Sequence, residues 1–451
     1  MYFLKIRYDP IQLVSIAPLV IFRVIFGATV LVGTIRFYLL GWIEEQYINT
    51  KFHFNYYGFE WVPFPTPWGI YALFILLALS GLCVIIGLAY RISAFVLFLS
   101  FTWIELLDKT YYLNHYYLIS LIAFLMIFLS AGNFLSFDQW ILKKKSISII
   151  PRFQIDILKF QIGIVYIFAG IAKINQYWLF EALPLKIWLP ANNSMPFMGS
   201  VFNYEITAYI FSWAGMIFDC TIVFFLLNRK TQLIAWFVAL FFHAVTGWMF
   251  QIGMFPLIMS LAILIFFHEN FHIRIIELFK NIFKVHHIDN QKDIENSMVV
   301  SMHNKLIMGF VIIYILFQLI FPWRYLLYPG NLFLTEEGYR FSWRVMLMEK
   351  AGNATFYVTD YETNKEGIVN NSEFLNAHQE KQMAMQPDMI LQFAQYLGKY
   401  YHASKVRAEV YITLNGGKSV QLIDSEVNLL NVKESFKPKK FLNRKSKTLN
   451  F

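Results

Sequence analysis

Residues 13–39 have the sequence LVSIAPLVIFRVIFGATVLVGTIRFYL, an almost uninterrupted apolar run. A helix needs about 20 apolar residues to cross the hydrocarbon core of a bilayer, so this run is long enough for one span. No small-residue cleavage pattern follows a short apolar core, which predicts a retained membrane helix and not a removed signal peptide. The whole chain is 57% hydrophobic and 15% charged, whereas soluble domains have about 25% charged residues. We therefore predict an integral membrane protein.

Further apolar runs of similar length follow through the first three quarters of the chain. The candidate spans are residues 13–39, 68–89, 92–107, 115–132, 155–173, 205–227, 231–249, 251–267 and 305–322. The third and eighth runs are short enough to be tilted or re-entrant. The predicted fold is an all-α polytopic membrane bundle of about eight or nine transmembrane helices.

The composition becomes that of a soluble protein after Pro322, and we predict a small α+β domain there. Its predicted elements are a strand at 354–361, a helix from Pro387 to about Gly398, and a hairpin in which Asn415-Gly416-Gly417 connects 406–414 to 420–422. The predicted division is a transmembrane domain at 1–322, an α+β domain at 323–435 and a basic flexible tail at 436–451.

The loops carry their positive charges unevenly. Most loop lysines and arginines, including Lys143 to Lys145, fall on the side of the N-terminus, while the opposite loops hold only Lys51, Lys109 and Lys186. The positive-inside rule then predicts a cytoplasmic N-terminus and a periplasmic C-terminal domain, which requires an odd number of spans. The same rule explains the net charge of +9 without a nucleic-acid partner.

Two features that could indicate a metal or disulfide framework are weak. Cys83 and Cys220 are the only cysteines, and both lie in apolar runs. His268-Glu269-Asn270-Phe271-His272 has the H-E-x-x-H spacing of a zinc site. However, no third ligand is evident, and the motif leads into a basic amphipathic stretch at 273–285 that is typical of an interfacial helix. We predict no metal.

Polar groups occur at the predicted outer ends of several spans: Asp108-Lys109, Asn114-His115, Lys173 and His243. Taken singly, Lys173 could extend its amine to the membrane surface and Asp108 could pair with Lys109. Because several spans supply such groups on one side, a common site is the favoured hypothesis. The intramembrane residues Arg23, Glu105, Lys159 and Asp219 could either join helices or line a cavity.

Lys173 is the candidate base. Desolvation on an apolar helix disfavours the ammonium form, and we expect an amine that is largely neutral near pH 8. Tyr166 lies two turns earlier on roughly the same face, and Ala169 and Gly170 permit a close helix contact.

The chain resembles the vitamin K-dependent γ-glutamyl carboxylase family, whose membrane half is the horizontally transferred transmembrane (HTTM) domain. The matching motifs are Gly87 to Ser93, Leu107 to Thr110 with Asn114-His115, Ile164 to Lys173, Phe242-His243, Phe250 to Phe255, and Gly338 to Trp343. The resemblance continues through the hairpin after Val406 and covers nearly the whole chain.

This resemblance implies a carbon–carbon lyase, a peptidyl-glutamate 4-carboxylase. Reduced vitamin K, a naphthohydroquinone, would be oxygenated by dioxygen to its epoxide, and a strongly basic intermediate would remove a γ-proton from a protein glutamate that then captures carbon dioxide. The motif positions imply the following residues: Lys173, His115 and Asn114 as catalytic, Tyr166, His243 and Asp108 as quinone-binding, and Tyr339, Arg340 and Trp343 at the substrate glutamate.

Some features depart from the family. The cysteines do not sit where the vertebrate enzyme has a disulfide between its two halves, and a long further C-terminal region is absent. The reduced loops suggest a bacterial inner-membrane enzyme acting on exported proteins. Two alternatives stay open: a quinone epoxidase that acts on another carbon acid, and a transporter or quinone-binding membrane protein. The retained C-terminal motif favours an enzyme.

Overall fold

The computed structural model describes residues 9–143, 146–196, 198–250, 252–283 and 302–444. Some residues used in the sequence analysis lie outside these ranges. They are Lys144 and Lys145 of the positively charged loop, Gln251 of the motif from Phe250 to Phe255, and residues 284–285 of the predicted interfacial stretch.

All the predicted spans are helical in the described residues. The principal helices of the membrane half are α1 (Ala17–Leu39), α2 (Pro67–Ile86), α3 (Tyr90–Leu107), α4 (Asn114–Phe128), α5 (Phe137–Leu142), α6 (Phe153–Lys173), α7 (Gln176–Leu179), α8 (Leu185–Ala191), α9 (Glu205–Leu227), α10 (Gln232–Phe250), α11 (Phe255–Ala262), α12 (Glu269–Phe283) and α13 (Met302–Ile320). Seven segments of the described chain are long and apolar enough to cross a membrane. The number rises to eight if the bent pair of helices at 255–266 and 269–282 forms one span.

The lengths of two spans differ from the prediction. The third span is a full helix of 18 residues, because it begins directly after Ala89, which has a left-handed φ of 42°. Asp138 accepts hydrogen bonds from the Ala89 and Tyr90 amides and so stabilises this helix start. The fourth span, α4, is instead short, with 15 residues. The eighth run is short, as predicted: its helix α11 turns by 108° into the amphipathic helix α12.

Close contacts between small residues hold the bundle together. A Cβ atom on Gly27 of α1 would lie 2.9 Å from the Gly81 carbonyl oxygen of α2. A Cβ atom on Gly170 of α6 would lie 2.6 Å from Cys220 Sγ and 2.8 Å from the Cys220 amide of α9. Small residues let the backbones of membrane helices approach closely. The sequence-based prediction of a close contact at Gly170 is therefore confirmed.

Arg23 joins helices and does not line a reactive site. It is 1% exposed, and its guanidinium donates hydrogen bonds to the carbonyl oxygens of Ala131 at 2.6 Å and Leu135 at 2.7 Å. These carbonyls belong to the turn after α4, so Arg23 stabilises this turn against α1.

The C-terminal part is an α+β domain, as predicted. The remaining named elements are α14 (Leu332–Thr335), α15 (Ala377–Met385) and α16 (Pro387–Tyr400), with strands β1 (Leu13–Ser15), β2 (Ile149–Pro151), β3 (Lys350–Asp360), β4 (Glu366–Ile368), β5 (Ala403–Leu414) and β6 (Val420–Gln421). The antiparallel sheet has the strand order β4-β3-β5-β6, and β1 pairs with β2 in the membrane half. The predicted hairpin is the β5–β6 pair, while β5 also pairs along its length with β3.

The domain core includes a residue from the membrane half. Helices α15 and α16 cover the sheet around Phe356 and Phe393, both 0% exposed. Phe54, from the loop between α1 and α2, is also 0% exposed and belongs to this cluster. The domain is therefore packed onto the bundle through shared apolar contacts.

The beginning of the expected flexible tail is folded. Phe441 is 3% exposed, Leu442 forms a bridge with Ile423, and Arg444 contacts Glu337 at 2.6 Å. These apolar and charged contacts tie residues 436–444 to the domain, and residues 445–451 lie outside the described ranges.

Candidate functional site

A buried ion pair joins α6 to α9. Lys173, the last residue of α6, donates a hydrogen bond from Nζ to Asp219 Oδ2 at 2.6 Å. The two side chains are 9% and 8% exposed. The close approach of the helices at Gly170 puts the two residues side by side. Asp219 was one of the unassigned polar residues of the sequence, and the structure makes it the partner of the candidate base.

A second polar pair lies two turns earlier along α6. Tyr166 Oη and His243 Nε2 of α10 are 2.7 Å apart, and both residues are buried. Phe218 and Phe255 contact the His243 ring. The other ring nitrogen, Nδ1, has no hydrogen-bond partner among the described residues. A buried polar atom without a partner is costly, so this atom is available to a polar group of a bound molecule.

Phe255 connects this pair to His115. The centroid of the Phe255 ring is 5.8 Å from the centroids of both His115 and His243. His115 belongs to α4 and is 7% exposed. The structure thus brings Lys173, Tyr166, His243 and His115 into one buried region of α4, α6 and α10, with apolar rings between them.

Asn114 has a different partner from its neighbour His115. Its side-chain amide donates a hydrogen bond to the Arg344 carbonyl oxygen at 2.9 Å. Arg344 directly follows the motif that ends at Trp343. Asn114 therefore holds the C-terminal domain against the start of α4.

Asp108 also contacts the C-terminal domain. Its carboxylate accepts hydrogen bonds from the Thr110 amide at 2.9 Å and from Gln379 Nε2 of α15 at 2.7 Å. His53 Nδ1 lies 3.3 Å from the same carboxylate. Within the described residues, no hydrogen bond or ion pair joins Asp108 to Tyr166 or His243. The contacts of Asp108 thus support a role at the junction with the C-terminal domain. They do not support the quinone-binding role that the resemblance implies.

Asp388 forms ion pairs with two cations at this junction. Its Oδ2 atom lies 2.9 Å from Lys109 Nζ and 2.8 Å from Arg340 Nη1. Burial by itself raises the pKa of the Asp388 carboxyl, but Arg340 and Lys109 hold that pKa well below its usual range. Arg340 also donates to Gln386 Oε1. Its guanidinium is thus already occupied, whereas the resemblance implies a contact with the substrate glutamate.

The two aromatic residues of the same motif are covered. Trp343 is 0% exposed and stacks on Tyr117 with ring centroids 4.9 Å apart. Tyr339 packs near Phe333, and burial raises the pKa of its hydroxyl. Both side chains belong to packed clusters, so a direct contact of either with a substrate would need a local rearrangement.

The H-E-x-x-H motif has a structural role at the start of α12. The Glu269 carboxylate accepts a hydrogen bond from the Ser15 amide of β1 at 3.1 Å. His272 is 1% exposed on α12, while His268 precedes the helix. Within the described residues, no group of three or more His, Cys, Asp or Glu side chains could hold a metal ion.

The C-terminal domain and Lys173 lie at the same end of the bundle. Ala172 and Trp178, on either side of the end of α6, belong to one apolar cluster with Phe333, Leu347 and Leu414 of the C-terminal part. This arrangement agrees with the sequence-based prediction that Lys173 and the domain share one side. Together these features define an integral membrane protein with two buried polar pairs, Lys173–Asp219 and Tyr166–His243, under a docked α+β domain.

Comparison with known protein families identifies the family to which the chain belongs. Residues 11–271, more than half of the chain, match the HTTM domain family. Residues 303–448 match the family described as vitamin K-dependent gamma-carboxylase, lumenal domain. The chain belongs to the vitamin K-dependent gamma-carboxylase family, which confirms the resemblance found in its motifs. No solved structure matches the chain.

The family also bears on topology. A luminal domain lies outside the cytoplasm, which indicates a luminal or periplasmic location for the C-terminal domain. The cytoplasmic N-terminus and the bacterial inner membrane stay predictions.

A substitution at Gly170 tests whether the helix contact positions the site. Gly170→Ala is expected to destabilise the protein by about 1–3 kcal/mol, because the new methyl group would collide with the Cys220 backbone of α9. It should also lower enzymatic activity by separating Lys173 from Asp219. Thermal unfolding in detergent measures the first effect. Gly309→Ala is the matched control, since a Cβ atom there meets nothing within 4 Å. Equal stability of the two variants would contradict the prediction.

Proposed function

We propose that the protein is a vitamin K-dependent γ-glutamyl carboxylase-like enzyme. It couples oxygenation of a reduced naphthoquinone to its epoxide with carboxylation of glutamate in an exported protein. The observation that carries this proposal is the buried Lys173–Asp219 pair, with the Tyr166–His243 pair two turns away on the same helix. Its family membership supports the same reaction.

The residues around Tyr166 and His243 suit a naphthoquinone ring. Aromatic rings supply apolar walls, and the phenol and the free His243 Nδ1 atom can form hydrogen bonds to quinone oxygens. When bound, the reduced quinone would supply the oxygenation chemistry and the strong base that removes the glutamate γ-proton, after which carbon dioxide adds to the carbanion. The protein itself has to bind the quinone ring, accept the first hydroxyl proton of the reduced quinone and exclude water.

Asp219 gives Lys173 a way to act as a base. The pair can hold its shared proton on the amine or on the carboxylate, and burial reduces the advantage of the charged arrangement. When the proton is on Asp219, Lys173 carries a free amine that can accept a proton from a hydroxyl group. The expected neutral amine of Lys173 would then be one state of the pair, not a permanent condition.

His115 and Asn114 act from the side of α4. His115 contacts Phe255, which also contacts His243. His115 therefore lies near the proposed quinone ring and can stabilise negative charge that develops on it. Asn114 acts indirectly, because its side-chain amide is bonded to the Arg344 carbonyl. We propose that Asn114 orients the segment that approaches the glutamate.

One observation favours the epoxidase alternative. Arg340, which would recognise the glutamate carboxylate, is held by Asp388 and Gln386. An enzyme that epoxidises the quinone but modifies another carbon acid would not need this guanidinium to be free.

The test is an assay that follows both products. Purified protein in detergent is given reduced vitamin K, labelled bicarbonate and a Glu-rich peptide, and epoxide and peptide label are measured together. Epoxide with label is the expected result. Epoxide without label would support the alternative, and failure to form epoxide would refute the oxygenase and leave a transporter or quinone-binding protein.

A further inference from the structure

A cavity of about 530 Å³ lies between the membrane helices and the C-terminal domain. Its volume is in the range of small-molecule sites. It is on the opposite side of α4 from the candidate active site, because Tyr117 lines it while His115 contacts Phe255. Two residues along a helix turn a side chain by about 200°. The cavity is therefore separate from the site around Lys173.

The walls of this cavity are apolar toward the membrane interior. Phe98 of α3 and Leu121 and Phe124 of α4 line it well inside two membrane helices, and Phe321 lines it at the end of α13. Charged residues of the C-terminal domain line the other end. A cavity that is apolar at bilayer depth and charged at the membrane surface has the polarity profile of an amphiphile.

Nearly all the charged side chains around the cavity are already paired. The ion pairs are Lys109–Asp388, Arg340–Asp388, Lys350–Glu336, Arg444–Glu337 and Lys439–Glu434. Among the charged residues that line the cavity in the described chain, Glu105 and Arg324 alone lack an oppositely charged partner. Arg324 donates its hydrogen bonds to backbone carbonyl oxygens, including that of Phe341 at 3.4 Å.

We propose that this cavity binds a zwitterionic phospholipid, with its ammonium group at Glu105 and its phosphate at Arg324. An ionisable side chain at the end of a membrane helix is costly without a partner, and a ligand with an ammonium group and a phosphate group offers one to each residue. Arginine suits phosphate because its guanidinium has five N–H donors, more than the three contacts that Arg324 makes with backbone carbonyl oxygens. The aromatic side chains of Tyr56, Tyr112 and Tyr117 also line the cavity and can contact an ammonium group through their ring faces.

The other amphiphiles of a membrane satisfy these charges less well. A neutral quinol would offer neither a phosphate to Arg324 nor an ammonium group to Glu105. Phosphatidylglycerol would offer a phosphate to Arg324 but no ammonium group to Glu105. The cavity takes the headgroup, which contacts the segment that contains Arg340 and Phe341, and the first part of one acyl chain, which lies along Phe98 and Phe124; the rest of the lipid lies in the bilayer.

The experiment measures which lipid stays with the protein. The full chain is reconstituted in nanodiscs of equal parts phosphatidylethanolamine and phosphatidylglycerol, released, and examined by native mass spectrometry, with extracted quinones measured in parallel. The wild type is expected to retain one phosphatidylethanolamine in preference to phosphatidylglycerol. Glu105→Gln and Arg324→Gln should each lower its retention by about tenfold, because each removes one charge-assisted contact.

Matched controls separate the site from general lipid binding. Glu205→Gln and Arg36→Gln make the same changes at the predicted outer ends of α9 and α1, outside the cavity, and should retain lipid as the wild type does. Equal retention of the two lipids by the wild type would overturn the proposal without any variant. Retention unchanged by both cavity substitutions, or a retained quinone in place of the lipid, would overturn it as well.

Discussion

Lys173→Ala is expected to lower the rate of quinone epoxidation by about 10²–10⁴-fold, since a positioned proton acceptor contributes a factor of this size. Asp219→Asn should lower the same rate by tenfold or more, because it removes the carboxylate that lies 2.6 Å from the amine and can take its proton. Both rates are measured as initial epoxide formation by protein in detergent, with carboxylation of the peptide followed in the same samples.

The control for these two variants is a substitution of another lysine on the same side of the membrane. Lys186 contacts the exposed residue Glu205 in an ion pair near the surface, so Lys186→Ala should keep the wild-type rate. A small primary amine in solution should restore part of the activity of Lys173→Ala, which a purely structural role would not allow. Wild-type epoxidation in Lys173→Ala, or in Asp219→Asn, would remove the proposed proton acceptor or its partner.

The partner of Lys173 could not be identified from the sequence. The apolar run at 205–227 shows that Asp219 lies inside the membrane, but not which way its side chain points. That direction depends on how α9 is rotated against α6, which the contact between Gly170 and Cys220 determines. The sequence did predict the position of Lys173, the shared face with Tyr166 and the common side of Lys173 and the C-terminal domain, because these follow from helix periodicity and span order.

Arg340 shows a second limit of sequence reasoning. Its motif indicated a substrate contact, but Asp388, which occupies its guanidinium, lies on α16 and becomes its neighbour only when the domain folds. Asp108 is similar, since its partner Gln379 is far along the chain. Local patterns predicted the hairpin and α16 well, because turn residues and the apolar face of a helix are local signals. Contacts between the two halves depend on docking, which no local pattern contains.

Asp388→Asn is expected to destabilise the folded protein by about 1–3 kcal/mol, less than the loss of one partner from a fully buried ion pair, because the Asp388 side chain is 22% exposed. The substitution leaves the buried Lys109 and the partly buried Arg340 without their shared carboxylate. It also removes the ion pair between the turn after α3 and helix α16, so we expect the C-terminal domain to separate from the bundle before the bundle unfolds. Thermal unfolding in detergent, combined with limited proteolysis between residues 323 and 349, measures both events.

The pH dependence of the same contact gives a sharper test. In the folded protein Arg340 and Lys109 hold the pKa of Asp388 well below its usual range, and the unfolded value is about 3.9. Stability from this contact is therefore fully present above about pH 4 and is lost as the pH falls through the folded pKa. Asp388→Asn should lose this part of the acid sensitivity. Glu366→Gln is the control, because its ion pair with Arg407 is partly exposed and should contribute about 0–1 kcal/mol. If Asp388→Asn were as stable as Glu366→Gln, the junction would be held by the apolar contacts around Phe54 and not by charge.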